Sequence, residues 1–462
     1  MQLKPISRAL VGAGTLVIFG LALSACGGGD SDAPSFKPLE LNIAHINDHH
    51  SQLDAFAATE LTLDGVATQV ELGGFARQTA MFKSVSGTKN LLKLHAGDAL
   101  TGSLYYTFYK GVVDAQMMNT ICFDAMTLGN HEFDDGDAVL KGFLDELGKG
   151  TCKTPAVSSN VLPAVGTALL PSGGLAYLKP WVIKEIDGVK VGIIGLTVAG
   201  KTMNSSRPLS TTQFNDEVTS AQQSINALKE QGVRHIVALT HLGYDADKAL
   251  AAKLTDVDAI IGGDSHSLLG DFKAVGIATS SGNYPTVATN KNGELVCIGQ
   301  AWEYSKAFGL MNLQFNESGA VKSCGGKATL LIGDSFKRKD TAGVWQSVTD
   351  TARTTLLANL AANQPQVKVL TPDTAAAATL KTYADQVALE HGLAQVAERR
   401  GACRTQTQRE ASAHAVPRAE LEHADDDDGH DERRRHAAHQ ALEGLVGRRG
   451  RHGSVPHRLA DE

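Results

Sequence analysis

The sequence lacks the features of several large protein classes. Outside the N-terminus it has no apolar run long enough to meet a membrane, which excludes a polytopic membrane protein. Its 43 basic residues against 50 acidic ones leave a net charge of -7. Sequence-independent nucleic-acid binding draws its affinity from clustered positive charge, so we expect no nucleic-acid partner. With 42% hydrophobic residues, the chain can still bury a core.

Three catalytic or metal-binding motifs are also missing. No G-x-x-x-x-G-K-[ST] sequence is present, which excludes a P-loop nucleotide site. The nearest serine motif, GDSHS over residues 263–267, lacks the second glycine of a nucleophile elbow, so no covalent nucleophile is predicted. No CxxC spacing occurs, and ligation of a metal by the thiols is therefore not expected.

The first 25 residues have the pattern of an export signal. Lys4 and Arg8 precede an apolar run over residues 9–25, which is marginal in length for a membrane span. The run ends in LSAC, which resembles the signal of bacterial lipoproteins, where the cysteine, here Cys26, is lipidated and becomes the first residue. The alternative is an ordinary secretory signal with Cys26 as a bystander. We expect a lipoprotein on the periplasmic or cell-surface face, tethered flexibly over residues 26–40, with membrane contact only through its lipid.

Export would place the remaining cysteines in an oxidising compartment, where disulfides persist. Four of them form two pairs that are close in sequence, and these are the preferred bridges: Cys122 with Cys152, and Cys297 with Cys324. Other connectivities of the four remain open from the sequence alone.

Short apolar runs alternate with segments of helical periodicity, which predicts an α/β architecture. Strands are predicted near Leu41–Ile46, Leu91–His95, Ala125–Leu128, Ala156–Ser158, Trp181–Ile186, Val189–Leu196, His235–Thr240 and Ala259–Ile261. Helices are predicted near Gly74–Lys83, Val112–Asn119, Asp137–Leu147, Glu217–Gln231 and Asp245–Leu254. Asp187-Gly188 predicts a β-hairpin, because these residues supply the positive φ angles of a tight turn.

Polar residues cluster directly after five of these strands. The clusters are NDHH at residues 47–50, GD at 97–98, GNHEFD at 129–134, HLG at 241–243 and GGDSH at 262–266. Each alone is weak, because turns often contain Asp, Asn and Gly. In α/β sheets, however, ligands gather beyond the carboxyl ends of the strands, so five clusters at five such ends indicate one site.

The residue types in these clusters predict a site for two metal ions. Carboxylate and amide oxygens and imidazole nitrogens suit Zn, Mn, Fe or Mg rather than copper or an iron–sulfur cluster. The donors exceed what one tetrahedral ion needs, which indicates two ions that share a bridging carboxylate. Two ions about 4 Å apart can hold a hydroxide and clamp a phosphoryl group for in-line attack.

The order of the motifs D-x-H, G-D, G-N-H-E, H and G-[HD]-x-H resembles the calcineurin-like metallophosphoesterases. The longer strings NDHH, GNHEFD and GGDSH resemble the bacterial 5'-nucleotidase branch, which includes periplasmic UDP-sugar hydrolases and NAD nucleotidases. The resemblance covers about residues 41–335. It implies a four-layer αββα sandwich, in which two mixed sheets pack face to face with helices outside.

The resemblance also implies a role for the polar side chains of these motifs. The implied metal ligands are Asp48, His50 and His266 at the first ion, Asp98 between the two ions, and Asn130, His241 and Asp264 at the second. His131 matches the residue that stabilises the transition state or protonates the leaving oxygen, and Asp134 matches the partner that orients its imidazole. His49 is not expected to bind metal.

Position 264 departs from the pattern, because many relatives carry His where this chain has Asp264. An anionic ligand lowers the net charge of the cluster and would favour Mn or Mg over Zn. The alternative is that Asp264 only caps a turn.

In this branch a second domain follows a linking helix and supplies the substrate pocket. Here we predict a linking helical region over residues 336–398, with helices near Val344–Ala362 and Ala375–Glu390. From Arg399 the composition changes: residues 399–462 hold 12 arginines, 12 acidic residues and no lysine. Out-of-frame translation of a GC-rich gene is the favoured interpretation, which would leave the substrate domain truncated or replaced by a disordered tail. A His-rich metal-sequestering segment and an interaction tail with its Asp425–Asp428 run are the alternatives.

We therefore expect a dinuclear-metal-dependent phosphoester hydrolase of 5'-nucleotidase type. It would convert nucleoside 5'-monophosphates to nucleoside and phosphate by attack of a metal-bridged hydroxide, with weak turnover and little base preference because the substrate domain is lost. The alternatives are a pyrophosphatase acting on NAD or UDP-sugars, and a catalytically inactive metal-binding lipoprotein fragment.

Overall fold

The structure of the protein, a computed structural model, describes residues 36–391. The predicted signal segment, Cys26, most of the predicted tether and the tail from Arg399 lie outside the described residues. Within the described part, no helix combines the length and the apolar character that a bilayer crossing requires.

The strands and helices follow one another along the whole described part of the chain. In chain order the strands are Glu40–Ile46 (β1), Phe56–Leu63 (β2), Val66–Leu72 (β3), Leu91–His95 (β4), Ala125–Thr127 (β5), Ala156–Val157 (β6), Val161–Leu162 (β7), Leu178–Lys179 (β8), Trp181–Ile186 (β9), Val189–Thr197 (β10), Gln213–Phe214 (β11), His235–His241 (β12), Ala259–Ile261 (β13), Thr286–Thr289 (β14), Leu295–Gly299 (β15), Ala307–Phe315 (β16), Val321–Ile332 (β17), Lys337–Lys339 (β18), Trp345–Ser347 (β19) and Val367–Val369 (β20). The helices are Phe75–Ser84 (α1), Leu104–Tyr109 (α2), Val112–Asn119 (α3), Gly136–Leu147 (α4), Ala199–Ser205 (α5), Glu217–Glu230 (α6), Tyr244–Ala251 (α7), Asp350–Asn363 (α8) and residues 374–391 (α9).

Two mixed sheets form the centre of the fold. The first sheet has the order β19-β18-β3-β17-β16-β1-β4-β5-β6-β8, with β2 beside β3 and β20 beside β17. The second sheet has the order β14-β15-β13-β12-β10-β9. Parallel pairing joins β1 to β4 and β4 to β5 in the first sheet, and β10 to β12 and β12 to β13 in the second. Antiparallel strands such as β16 and β9 flank these parallel centres, so both sheets are mixed, as predicted.

The two sheets pack face to face with helices outside them. The layer between the sheets is a cluster of fully buried aliphatic side chains that includes Leu41, Ile43 and Leu94 from the first sheet and Ile193, Val237 and Leu239 from the second. Helices α1, α3 and α4 cover the outer face of the first sheet, and α6 and α7 cover that of the second. Burial of apolar area on all three interfaces holds the layers together, and the αββα arrangement expected from the sequence is present.

The predicted strands are confirmed, each to within one residue at either end. The hairpin between β9 and β10 is confirmed as well, with φ angles of 52° at Asp187 and 76° at Gly188. The apolar runs were a strong signal here because most of these strands, such as β1, β5, β12 and β13, are buried on both faces.

The helix predicted over Val344–Ala362 is wrong at its start. Residues Trp345–Ser347 form β19, which pairs antiparallel with β18, and the helix begins only at Asp350. The Asp340 carboxylate accepts hydrogen bonds from the backbone N–H groups of Ala342 and Val344, at 2.9 and 3.0 Å, and so closes a turn that helical periodicity does not register. Within the predicted linking region, the structure adds β18, β19 and β20 to the first sheet.

Both preferred cysteine pairs are joined in the structure. The Cα atoms are 5.4 Å apart in Cys122–Cys152 and 5.6 Å apart in Cys297–Cys324. Cys297 lies on β15 of the second sheet and Cys324 on β17 of the first, so this bond ties the two sheets together covalently. Closing a loop of this length stabilises a protein by about 3–4 kcal/mol in the chain-entropy description.

The histidine that begins β12 is buried in a way that makes stability depend on pH. Burial, with a smaller contribution from the charge of Arg234, lowers the pKa of His235 to about 4. Its ring lies 4.1 Å, centroid to centroid, from the ring of Phe315, and within the described part of the chain neither ring nitrogen has a hydrogen-bond partner. The folded protein therefore holds this imidazole in its neutral form.

We predict that His235→Phe flattens the loss of stability in mild acid. Because the pKa is lower in the folded state, the unfolded chain takes up the proton first, and stability is lost as the pH falls from about 6.5 toward 4. Relative to the variant, the wild type should lose roughly 1.4 kcal/mol per pH unit in that window, or about 2 kcal/mol at pH 5. Chemical denaturation of both proteins between pH 7.5 and 4.5 measures this difference. Stability curves that run parallel over the whole range would show that His235 does not contribute.

Candidate metal centre

The five polar clusters predicted from the sequence meet at one edge of the sandwich. The strands that precede them, β1, β4 and β5 in one sheet and β12 and β13 in the other, run parallel within each sheet, so their carboxyl ends come together. Backbone hydrogen bonds join the loops directly: Asp48 N–H donates to Gly97 O at 2.9 Å, and Gly243 N–H donates to Gly263 O at 3.1 Å.

Most of the predicted ligands have a left-handed backbone conformation. The residues and φ angles are Asp48 at 49°, His50 at 50°, Asp98 at 52°, Asp264 at 78° and His266 at 50°. Such conformations cost roughly 1–3 kcal/mol each for residues other than glycine, and they persist where the surrounding structure imposes them. Their concentration in these loops indicates that the surrounding structure imposes the backbone conformation of the ligand residues.

Two glycines allow the loops to approach one another. A Cβ atom at Gly129 would overlap the carboxylate of Asp98. A Cβ atom at Gly97, where φ is 85°, would lie 2.7 Å from Nδ1 of His241. The glycines of the GD and GNHEFD motifs are therefore required for close packing around the ligand side chains.

The ligands predicted for the first ion form a compact group. His50 Nε2 lies 3.0 Å from His266 Nε2 and 3.9 Å from Asp48 Oδ1, and His266 Nε2 lies 3.5 Å from the same Asp48 oxygen. One donor atom from each of the three side chains lies within 4.8 Å of the others. This spacing suits three ligands that share one cation.

The ligands predicted for the second ion adjoin the first group. His241 Nε2 lies 3.0 Å from Asp98 Oδ2, and the same Asp98 oxygen lies 3.6 Å from His50 Nε2. Asp98 is thus situated between the two groups, where a bridging ligand would be. Asn130 Oδ1 is buried and, among the described residues, accepts no hydrogen bond. An unpartnered buried acceptor is costly, and a cation at this position would satisfy it.

Each of the three ligand-type histidines is oriented by a hydrogen bond through Nδ1. His241 donates to Ala96 O at 2.7 Å, His266 donates to Glu303 Oε2 at 2.6 Å, and His50 donates to Leu100 O at 3.3 Å. With the Nδ1 position occupied in this way, Nε2 is the nitrogen of each ring that is directed at the cluster and that could bind a cation. Such hydrogen bonds fix the tautomer and ring orientation of histidines that bind metals.

The electrostatics of the cluster also fit a cation. Asp48 and Asp98 are fully buried, and buried carboxylates require a compensating charge. Burial raises the pKa of Asp98, but the charge and the hydrogen bond of His241 outweigh it and leave that pKa well below its ordinary range. Burial alone would lower the pKa of His241. The negative charges of Asp98 and Asp48 have the larger combined effect, so the pKa of His241 is raised well above its ordinary value. The two carboxylates create a negative potential that would stabilise a divalent cation. The oxygen and nitrogen donors match Zn, Mn, Fe or Mg.

Asp264 lies at the rim of the cluster rather than inside it. Its Oδ1 is 3.8 Å from His241 Nε2 and 2.5 Å from Lys201 Nζ. Its backbone N–H lies 3.1 Å from both carboxylate oxygens of Asp48. The Asp264 carboxylate is close enough to be a ligand of the second ion, and it also forms an ion pair with Lys201.

His131 and Asp134 form a hydrogen-bonded pair beside the cluster. His131 Nδ1 donates to Asp134 Oδ2 at 2.5 Å, and Ser206 Oγ donates to Asp134 Oδ1 at 2.8 Å. The His131 ring centroid is 5.1 Å from that of His50. The hydrogen bond to Asp134 raises the pKa of His131, and burial opposes it only in part. The imidazole is half-buried and its Nε2 is available to a bound molecule.

His49 is turned away from the cluster into a separate buried chain of hydrogen bonds. Gly97 N–H donates to His95 Nδ1 at 3.2 Å. A hydrogen bond of 2.9 Å then links His95 Nε2 to His49 Nδ1, and His49 Nε2 donates to Asp114 Oδ1 at 3.2 Å. This chain supports the loops from behind and takes no part in the donor cluster.

A cavity of about 690 Å³ opens above the cluster. Its lining includes His50, His131 and His266, the acidic residues Asp98, Asp134 and Asp264, the aromatic residues Phe56 and Tyr304, and Lys201. The volume is sufficient for a nucleotide-sized ligand.

Several residues of the site were not predicted from the sequence. The Glu132 carboxylate accepts hydrogen bonds from the backbone N–H groups of Asp98, Ala99 and Leu100, at 2.9, 2.7 and 3.3 Å, and holds the GD loop in place. Its position inside the GNHEFD motif is a signal that could have revealed it. Glu303 and Lys201 belong to no motif, and only the folded structure brings them to the site.

The family model described as calcineurin-like phosphoesterase matches residues 41–268. The NAD 5'-nucleotidase of Haemophilus influenzae is 38% identical over 331 residues, which are 66% of this chain and 53% of that protein. The probable 5'-nucleotidase of Treponema pallidum is 38% identical over 319 residues, which are 68% of this chain and 51% of that protein.

The solved structure of Haemophilus influenzae NAD nucleotidase superimposes with a TM-score of 0.70 and 35% identity, covering 76% of this chain and 61% of that chain. The chain spans about half the length of the curated relatives that it matches. The matched residues 41–268 contain every motif that contributes to the donor cluster. The chain belongs to the calcineurin-like phosphoesterase family, in the branch of the 5'-nucleotidases and NAD nucleotidases.

Proposed function

We propose that the protein is a two-metal phosphoester hydrolase that acts on nucleotides. The observation that carries the proposal is the convergence of imidazole Nε2 atoms and carboxylate oxygens on one point, with the unpartnered Asn130 Oδ1 beside them. The names of the related proteins support a nucleotide as substrate, in the first instance a nucleoside 5'-monophosphate.

The proposed site divides the work between a metal cluster and a proton-carrying histidine. Asp48, His50 and His266 would hold one ion, His241 and Asn130 the other, and Asp98 would contact both. In such a site, divalent cations neutralise charge on the phosphoryl group and activate water as a nucleophile.

The chain itself supplies the acid. Because His131 Nδ1 donates to Asp134, the imidazole presents Nε2 to the cavity, where a proton on this atom can hydrogen-bond to an oxygen of the ester. Ser206 holds the other oxygen of Asp134 at 2.8 Å and so keeps the pair aligned. We assign to His131 the stabilisation of the transition state or the protonation of the leaving oxygen.

A second candidate is hydrolysis of the pyrophosphate bond of NAD or a UDP-sugar. The Haemophilus influenzae relatives named as an NAD 5'-nucleotidase and an NAD nucleotidase favour it. Parallel assays of AMP, NAD and UDP-glucose hydrolysis separate the two candidates. The weak base preference remains a prediction. Comparing the rates of AMP and CMP hydrolysis in the same assay tests it. A protein that binds two metal ions and hydrolyses none of these would be the inactive metal-binding lipoprotein.

Metal uptake is the first test. We expect protein stripped with EDTA to be inactive and to bind two Mn²⁺ ions per chain in isothermal titration calorimetry. Asp98→Asn should lose at least one of them, because Asp98 lies between both groups of donors. If Asp264 is a ligand, Mn or Mg should support turnover better than Zn, since an anionic donor favours the harder ion. A single ion per wild-type chain would contradict the dinuclear site, and full zinc occupancy with zinc-supported turnover would contradict the metal preference.

The catalytic pair is tested by substitution in the Mn²⁺-loaded protein. His131→Ala should lower kcat by about 100-fold or more, and Asp134→Asn by about tenfold, with metal content unchanged. Asp135→Asn is the matched control, because its carboxylate binds Lys110 and Tyr106, at 2.8 and 3.0 Å, outside the cavity. Turnover that survives His131→Ala but not chelation would remove His131 from the mechanism and leave the metal site in place.

We also propose that the protein is an exported lipoprotein. The apolar run before Cys26 and the two disulfides of the described residues support this, because disulfides persist in oxidising compartments. Expressed in a bacterium with an alkyne-labelled fatty acid, the protein should take up the label, and Cys26→Ser should abolish it. Equal labelling of the two proteins would count against the lipid anchor.

A further inference from the structure

Lys201 is the only lysine or arginine among the described residues that line the cavity above the donor cluster. It lies on helix α5, which begins two residues after β10 of the second sheet. The rest of the lining supplies carboxylates, imidazoles, aromatic rings and small polar groups. A phosphate ester that enters this cavity therefore meets one permanently cationic side chain.

The position of the ammonium group is fixed by Asp264. Lys201 Nζ lies 2.5 Å from Asp264 Oδ1, and that oxygen lies 3.8 Å from His241 Nε2. The Lys201 side chain is 43% exposed and lines the cavity, and among the described residues the hydrogen-bond partner of its Nζ is Asp264, which leaves further N–H donors for a ligand. Asp264 thus holds the Lys201 ammonium group at the edge of the proposed second metal position, in the lining of the cavity.

The chemistry of a phosphoryl group fits this position. A phosphate monoester has three non-bridging oxygens, and each needs a cation or a hydrogen-bond donor when the group leaves water. Two metal ions and His131 cannot occupy all the acceptor sites of these oxygens. A lysine ammonium is a compact point charge with three donors, and lysine is a common ligand of phosphate groups.

We propose that Lys201 is a substrate-binding residue whose ammonium group contacts a non-bridging phosphoryl oxygen of the substrate and of the released inorganic phosphate. The proposal rests on the proposed function and adds a residue that none of the sequence motifs contains. Asp264 then has two roles, since its carboxylate orients the lysine as well as adjoining the second ion.

The test measures phosphate affinity directly, without turnover. Inorganic phosphate is titrated calorimetrically into protein saturated with Mn²⁺, for the wild type, Lys201→Met and Lys201→Arg. We expect Lys201→Met to weaken phosphate binding about tenfold or more, and Lys201→Arg to stay within about threefold of the wild type, because arginine retains the charge and the donors. In steady-state assays the Met variant should raise KM for AMP by a similar factor.

Two measurements separate this role from a structural one. Lys229→Met is the matched control, because Lys229 lies on the outer helix α6 and forms a similar ion pair with Asp256, at 2.8 Å. The phosphate affinity of this variant should equal that of the wild type. Titration of Mn²⁺ into Lys201→Met shows whether the lysine only neutralises Asp264. Tighter or unchanged Mn²⁺ binding together with weakened phosphate binding supports the proposal.

Other outcomes overturn it. Phosphate affinity that is the same in the wild type and Lys201→Met at saturating Mn²⁺ would reduce Lys201 to a counterion of Asp264, whether or not the enzyme turns over. Phosphate binding through Lys201 without hydrolysis of any nucleotide would instead refute the proposed function and leave the assignment of Lys201 standing. A wild-type protein that takes up Mn²⁺ but binds no phosphate would refute the assignment of Lys201, and the hydrolysis assays would then decide the proposed function separately.

Discussion

Two carboxylates buried at the junction of the two sheets are the constraint on which the site depends. Asp48 and Asp98 have almost no contact with solvent, and such charges are stable only beside compensating groups. The surrounding imidazoles supply part of this compensation, and their Nδ1 hydrogen bonds keep Nε2 of each ring directed at the acids. A divalent cation would complete it. The remaining features of this edge, including the left-handed loops and the glycines between them, keep the carboxylates and imidazoles close to one another.

The sandwich provides the rigidity that this arrangement requires. Four of the five ligand loops leave strands that are buried on both faces, namely β1, β5, β12 and β13, so these loops have little freedom at their start. The disulfide between β15 and β17 joins the sheets that contribute the two halves of the cluster. Glu132 accepts hydrogen bonds from backbone N–H groups of the GD loop, and Glu303 accepts one from the His266 ring, which fixes that loop and that ring in place. Stability of the layers is therefore used to hold a strained, highly charged set of loops, as is common at functional sites.

The sequence was informative where the chain repeats a simple physical pattern. Parallel strands buried on both faces appear as short apolar runs, and turns rich in Asp, Asn and Gly mark their ends, so the central strands and the polar clusters could be located without a structure. The antiparallel strands β2, β3 and β17 were not predicted, because their partly exposed faces dilute the apolar signal. Strand β16 was not predicted either, although most of its residues are buried. Lys201 and Glu303 could not be predicted either. Their side chains reach the cluster only through folding, from positions 63 and 37 residues away from their partners Asp264 and His266.

The segment after residue 335 belongs structurally to the layers before it. Strands β18 and β20 extend the first sheet, Leu356 and Leu360 of α8 are buried in one core cluster, and Leu380 of α9 is buried in another. A shorter version of the protein that ends at residue 335 would lack these strands of the first sheet and would expose the apolar surfaces that pack against the missing helices. Anyone who prepares a minimal catalytic unit for crystallisation should therefore place the stop codon beyond α9, since an earlier stop invites aggregation through the open sheet edge.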